Sequence, residues 1–67
     1  MSAATYTVTG MTCQHCVASV TEEVSEIDGV TAVDVDLPTG AVTVTSDAPL
    51  SDDAVKAAVE EAGYQLA

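Results

Sequence analysis

Between Thr5 and Gly10 the chain alternates apolar and polar positions, with Tyr6 and Val8 on one side and threonines on the other. A period of two predicts a half-buried strand, and Gly10 ends it. From Cys16 the rhythm changes. Val17, Val20, Val24 and Ile27 follow at steps of three, four and three, which places them on one stripe of a helix. Glu22, Glu23 and Glu26 lie off that stripe, and Asp28-Gly29 supplies the stop, because glycine readily takes the left-handed conformation past a helix end.

The period returns to two over Val30–Leu37, with Val33, Val35 and Leu37 facing one way and Asp34 and Asp36 the other. Pro38–Gly40 reads as a turn, and the next alternating run carries Val42 and Val44, so the two runs predict a β-hairpin. Ser51 then suits an N-cap, Asp52 and Asp53 complement the positive helix end, and Leu50 can staple onto Val55. Val55, Ala58, Val59 and Ala62 form a second helical stripe before Gly63, and Tyr64–Ala67 closes as a short strand. The order βαββαβ predicts an α+β, ferredoxin-like open-faced sandwich. In it a four-stranded antiparallel sheet carries two helices on one face, and residues 1–67 form a single domain.

Composition narrows the function. The core must be aliphatic, since the chain has two tyrosines and neither Phe nor Trp. Eleven carboxylates face a single Lys, for a formal net charge of −10. That excludes ordinary electrostatic binding to nucleic acid and argues against anionic membrane surfaces. It fits a solvated acidic surface, a salty cytoplasm or a basic docking partner. No apolar run approaches the length of a membrane span, and the N-terminal residues lack the basic and apolar regions of a secretory signal. The expectation is a cytoplasmic protein with reduced thiols.

All the strong candidate chemistry falls in "GMTCQHC", Gly10–Cys16, which holds both cysteines and the sole histidine. A CxxC spacing has three readings: a soft-metal site, a redox dithiol, or two inert small side chains. Structural zinc and iron–sulfur clusters want four protein ligands, whereas Cu(I) accepts two thiolates. A following helix start favours the thiolate form in both the metal and the redox reading. His15 as a third ligand would favour zinc or a dimeric copper cluster. As an ordinary loop residue it points to solvent.

The stretch GMTCQHC after a first strand, within a βαββαβ chain of this length, resembles the heavy-metal-associated (HMA) domain family. Within it the chain is most similar to CopZ-type copper chaperones and to the N-terminal domains of copper-transporting P-type ATPases. The resemblance implies Cu(I) held by Cys13 and Cys16 and passed by thiolate exchange to such an ATPase or another acceptor. It implies no enzymatic activity, and a monomer when apo that copper can bridge into a dimer. Met11 matches a methionine that packs beneath the loop, and Tyr64 matches a tyrosine opposite it. Thr12 stands where zinc- or cadmium-selective members often place a carboxylate, which favours copper over those metals. The initiator Met and self-contained length favour a free chaperone over an ATPase domain. Glu22 and Glu23 stand where many relatives carry basic residues.

Charge repulsion among the carboxylates predicts a salt-dependent fold. Raising NaCl from 0.1 M to 1 M shortens the Debye length from about 10 Å to about 3 Å. The melting temperature of the apo protein, followed by circular dichroism, is expected to rise over that range, and to rise again on mild acidification towards pH 5. A melting temperature flat in salt would remove the repulsion argument.

Overall fold

The computed structural model describes residues 2–67, so Met1, counted above as an initiator, lies outside the described residues. Strand β1 spans Ser2–Thr9, helix α1 Gln14–Ser25, β2 Val30–Asp36, β3 Ala41–Ser46, helix α2 Asp52–Glu61 and β4 Gln65–Leu66. The four strands form one antiparallel sheet in the order β2-β3-β1-β4. This is the ferredoxin-like βαββαβ sandwich.

Several predicted boundaries shift, and β4 narrows from Tyr64–Ala67 to Gln65–Leu66. β1 begins at Ser2 rather than Thr5, because Ser2, Ala3 and Ala4 pair with Ser46, Thr45 and Val44 of β3. Local alternation is weak there, and the pairing partner extends the strand. Ile27 falls outside α1, which is C-capped by Glu26, yet it still packs against the core from the following turn. Leu37 lies just past β2 in the hairpin turn, and Ala62 is the C-cap of α2. Ser51 does cap α2, its side chain accepting from the Ala54 N–H at 3.2 Å.

Among the described residues seven hydrophobics are buried, and all are valine: Val8, Val42 and Val44 from the sheet, Val20 and Val24 from α1, Val55 and Val59 from α2. Each helix presents its pair at an i, i+4 spacing, and both pairs join Val8, Val42 and Val44 in one core cluster. Valine suits strands but is only a modest helix former, so tertiary burial rather than propensity holds these two helices. The other sheet face bears no helix and is polar, with Thr5 and Thr43 hydroxyls 3.1 Å apart.

The hairpin between β2 and β3 depends on Gly40. Its φ is +75°, and its N–H donates to the Asp36 carbonyl while its carbonyl accepts from the Val8 N–H, both at 2.8 Å. A Cβ built there would lie 2.6 Å from the Val8 carbonyl oxygen. Gly29 shares the conformation, at φ +90°, but a Cβ there meets nothing within 4 Å. Urea denaturation should therefore separate the two substitutions. Gly29→Ala is expected to cost about 1–2 kcal/mol from backbone conformation alone. Gly40→Ala should cost distinctly more, because the backbone of β1 must also move.

Candidate metal centre

The loop that joins β1 to α1 gathers both thiols at one end of the sheet. Gly10 turns the chain with φ +93°, which permits the sharp exit from β1. Cys13 then takes the N-cap position of α1 in extended conformation, φ −156° and ψ 173°, with no side-chain hydrogen bond to the helix. Its carbonyl accepts from the N–H groups of Cys16 at 3.1 Å and Val17 at 3.2 Å. Cys16 sits in the first turn, and the two Sγ atoms are 3.5 Å apart. Both thiols are free, Cys13 exposed and Cys16 half-buried. A disulfide would need about 2.05 Å, so the pair is close but unbonded.

The surroundings favour a thiolate at Cys16. Its pKa is lowered from 9.0 to about 6, first by the Thr12 backbone N–H, then by the Tyr64 hydroxyl and the Cys13 thiol, against a smaller opposing effect of burial. The Thr12 hydroxyl also lies 3.8 Å from Cys16 Sγ. No acidic residue occupies the first turn of α1, so nothing there opposes negative charge on sulfur. Tyr64 feels the reciprocal effect, its hydroxyl pKa being raised first by the hydrogen bond to Cys16.

Tyr64 reaches this position because Gln65 pairs with Thr9, which brings the start of β4 alongside the end of β1. Its ring lies over Gly10, where a Cβ would come within 3.3 Å of the ring. From the sequence, Tyr64 is expected to pack opposite the loop and Gly10 only to end a strand. The ring-on-glycine contact and the influence of the Tyr64 hydroxyl on Cys16 depend on the tertiary pairing. The Thr12 N–H was likewise out of reach, since a backbone donor carries no residue-type signal.

Met11 is half-buried and packs against the valine core. His15 is exposed on the first turn of α1, its carbonyl accepting from the Ser19 hydroxyl at 3.2 Å. Among the described residues no group of three or more His, Cys, Asp or Glu side chains is arranged to hold a metal. The soft donors brought together here are the two sulfurs. A groove of about 300 Å³ lies elsewhere, lined by Tyr6, Leu50 and Asp52 among others, and holds no sulfur.

A model of the heavy-metal-associated domain matches residues 5–65. The chain belongs to the heavy-metal-associated domain family. It is 46% identical over 68 residues to the copper chaperone CopZ of Bacillus subtilis, covering 100% of this chain and 99% of the relative. Among solved structures, a CopZ metallochaperone superposes with a TM-score of 0.91 at 37% identity, covering 98% of this chain and 100% of that one. A copper-binding domain of a P-type ATPase gives a TM-score of 0.90 at 29% identity over 100% of this chain and 92% of that one. This HMA domain thus shares its whole fold with proteins of that family. No helix among the described residues is long and apolar enough to cross a membrane.

The Tyr64 contact yields a titration. A folded thiol pKa below its unfolded value stabilises the apo fold above the unfolded pKa, and that contribution fades as pH falls through about 6. Alkylation of Cys16 by iodoacetamide, followed against pH in a Cys13→Ser background, should show a midpoint below the ordinary thiol value. Adding Tyr64→Phe should move that midpoint up, by removing one hydrogen bond to the thiolate. An unchanged midpoint would show that Tyr64 does not reach the sulfur.

Proposed function

We propose that this HMA domain is a cytoplasmic Cu(I) carrier and not an enzyme, holding the ion between Cys13 and Cys16 and surrendering it to a copper-transporting P-type ATPase or similar acceptor. The observation that carries this reading is the pair of free sulfurs 3.5 Å apart on an exposed helix-start loop, with no third His, Cys, Asp or Glu grouped with them among the described residues. Two thiolates suffice for Cu(I), whereas closed zinc sites take four ligands. The names of the relatives, copper chaperones over the full length of this chain, support the same metal.

Transfer follows from the open coordination. Zinc–thiolate bonds are about 2.3 Å, and an ion of similar bond length held in line between two sulfurs sets them well beyond their present 3.5 Å separation. The loop therefore opens on loading, and Cys13, at the exposed N-cap, is free to move outward. An incoming partner thiol loses its proton and its sulfur binds the ion, giving a three-coordinate bridge. One original cysteine then departs and takes up a proton, and the ion changes owner with no redox step. Two protein sulfurs leave room for that attack, and the same room permits a copper-bridged dimer at high loading.

The short sulfur separation and the low Cys16 pKa also suit a dithiol that exchanges disulfides. Chelator competition discriminates the two. Reduced protein should retain one Cu(I) per monomer against a strong Cu(I) chelator, and Cys13→Ser or Cys16→Ser should each lose it, since each sulfur is half of the coordination. His15→Ala should leave the stoichiometry unchanged. Stoichiometric copper kept by either serine variant would sink the two-thiolate site.

A further inference from the structure

The two edges of the sheet are finished differently. β2, the outer strand on one side, carries a register shift between Val30 and Ala32 and two carboxylates, Asp34 and Asp36. Bulges and charged side chains keep a free strand edge from pairing with another chain. On the other side β4 covers only Val8 and Thr9 of β1, and the Ala67 N–H adds one bond to the Thr7 carbonyl at 2.8 Å. The rest of β1, Ser2–Tyr6, pairs with β3 alone among the described residues. That stretch has no charge, no proline and no register shift.

The Val8 N–H donates towards β3, to the Gly40 carbonyl. Strand alternation then turns the N–H and C=O groups of Ala3 and Thr5 outward, where an extended chain laid antiparallel in line with β4 can exchange hydrogen bonds with both. Beside this edge, on the helix-bearing side, lies the groove of about 300 Å³. Ala3, Ala4 and Tyr6 line it from β1, and Pro49, Leu50 and Asp52 from the segment that enters α2. Residues opposite one another in adjacent strands share a face, so an added residue facing Ala4 directs its side chain into the groove. Asp52 is the one charged group of the lining. The Tyr6 hydroxyl donates to its Oδ1 at 3.2 Å, and a carboxylate can accept further donors. Apolar walls with a carboxylate at one point suit a side chain of methylenes tipped by a cation.

We propose that the uncovered stretch of β1 accepts an extended segment of a partner protein as an added antiparallel strand, with a Lys or Arg of that segment seated in the groove against Asp52. Backbone bonds supply the pairing and the groove selects the residue. Charge disfavours a second copy as the occupant. Each copy brings a net charge of −10, and neither β1 has a basic side chain to offer the other's Asp52. The partial positive charge at the start of α2, about half a unit, is outweighed by Asp52 and Asp53. This docking goes beyond the carrier role and does not depend on it. Ala4 stands about 20 Å along β1 from Gly10, so a segment held there leaves both sulfurs open.

The probe is the blocked peptide acetyl-Thr-Val-Thr-Arg-Thr-Val-Thr-amide, titrated into reduced, copper-free, isotope-labelled protein and followed by amide chemical shifts. Shifts should concentrate on Ser2–Thr7 and on Leu50–Asp53. Exchanging the peptide's arginine for glutamate should weaken binding at least about tenfold. N-methylation of the two threonines flanking the arginine, whose N–H groups face β1, should abolish binding. N-methylation of the arginine itself, whose N–H faces away, should leave it within about twofold. Asp52→Asn keeps an acceptor for Tyr6 and should remove most of the preference for arginine over glutamate. Asp34→Asn changes the net charge equally at the far edge and should leave most of it. No shifts at about 1 mM peptide overturn the proposal. So do shifts concentrated elsewhere, equal losses in the two variants, or indifference to which N–H is methylated. A concentration-dependent dimer in sedimentation, with the Ala3 and Thr5 amides protected, would assign the edge to a second copy and overturn it too. Copper is absent throughout, so failure here leaves the carrier reading standing, and failure of that reading leaves this one.

Discussion

The pairing of Thr9 with Gln65 fixes the end of the chain against the loop that leaves β1. Tyr64, the residue before that pair, is thereby laid across Gly10, where its hydroxyl favours the thiolate form of Cys16. A side chain at Gly10 would lift the ring, and a shift of β4 by one residue would turn Tyr64 to the other face of the sheet. The loop is thus positioned from below by Met11 on the core and from the side by Tyr64, while Cys13 has no such tether. One sulfur is held and stabilised as thiolate, and the other stands in solvent. That asymmetry fits the proposed carrier, which must both keep an ion and release it.

The scaffold under the loop is simple in composition and narrow in tolerance. Its buried hydrophobic core consists of valine, so every buried pair packs a short, stiff side chain with few rotamers to adjust. Hairpin and core meet where Gly40 accepts from Val8, and Val8 in turn lies within the core that supports Met11. Distortion at the hairpin therefore has a direct route to the loop through β1. A chain of this size has little stability to spare for such distortion.

Most of this architecture is written in the spacing of its valines. The steps at Val17, Val20 and Val24, and at Val55 and Val59, mark helices because each puts its apolar residues on one stripe. The alternation at Val33, Val35, Val42 and Val44 marks a hairpin because a strand shows its two faces in turn. Ser51 reads as a cap from residue type alone, and its side chain does accept from the Ala54 N–H. What the pattern could not show depends on partners distant in the chain. Ser2–Ala4 lack strand character of their own and are extended by β3. The donors on Cys16 are a backbone N–H and a phenol 48 positions away in sequence, and neither follows from the CxxC spacing.

The central claim is a site of two sulfurs, open to a third from outside. X-ray absorption at the copper edge, on reduced monomeric protein carrying one Cu(I) per chain, tests it most directly. The account predicts two sulfur neighbours and no nitrogen. A nitrogen neighbour would bring His15 into the coordination sphere, and three sulfurs would mean a methionine thioether or a second molecule at the site. Either result contradicts a carrier whose release depends on a vacant position at the ion.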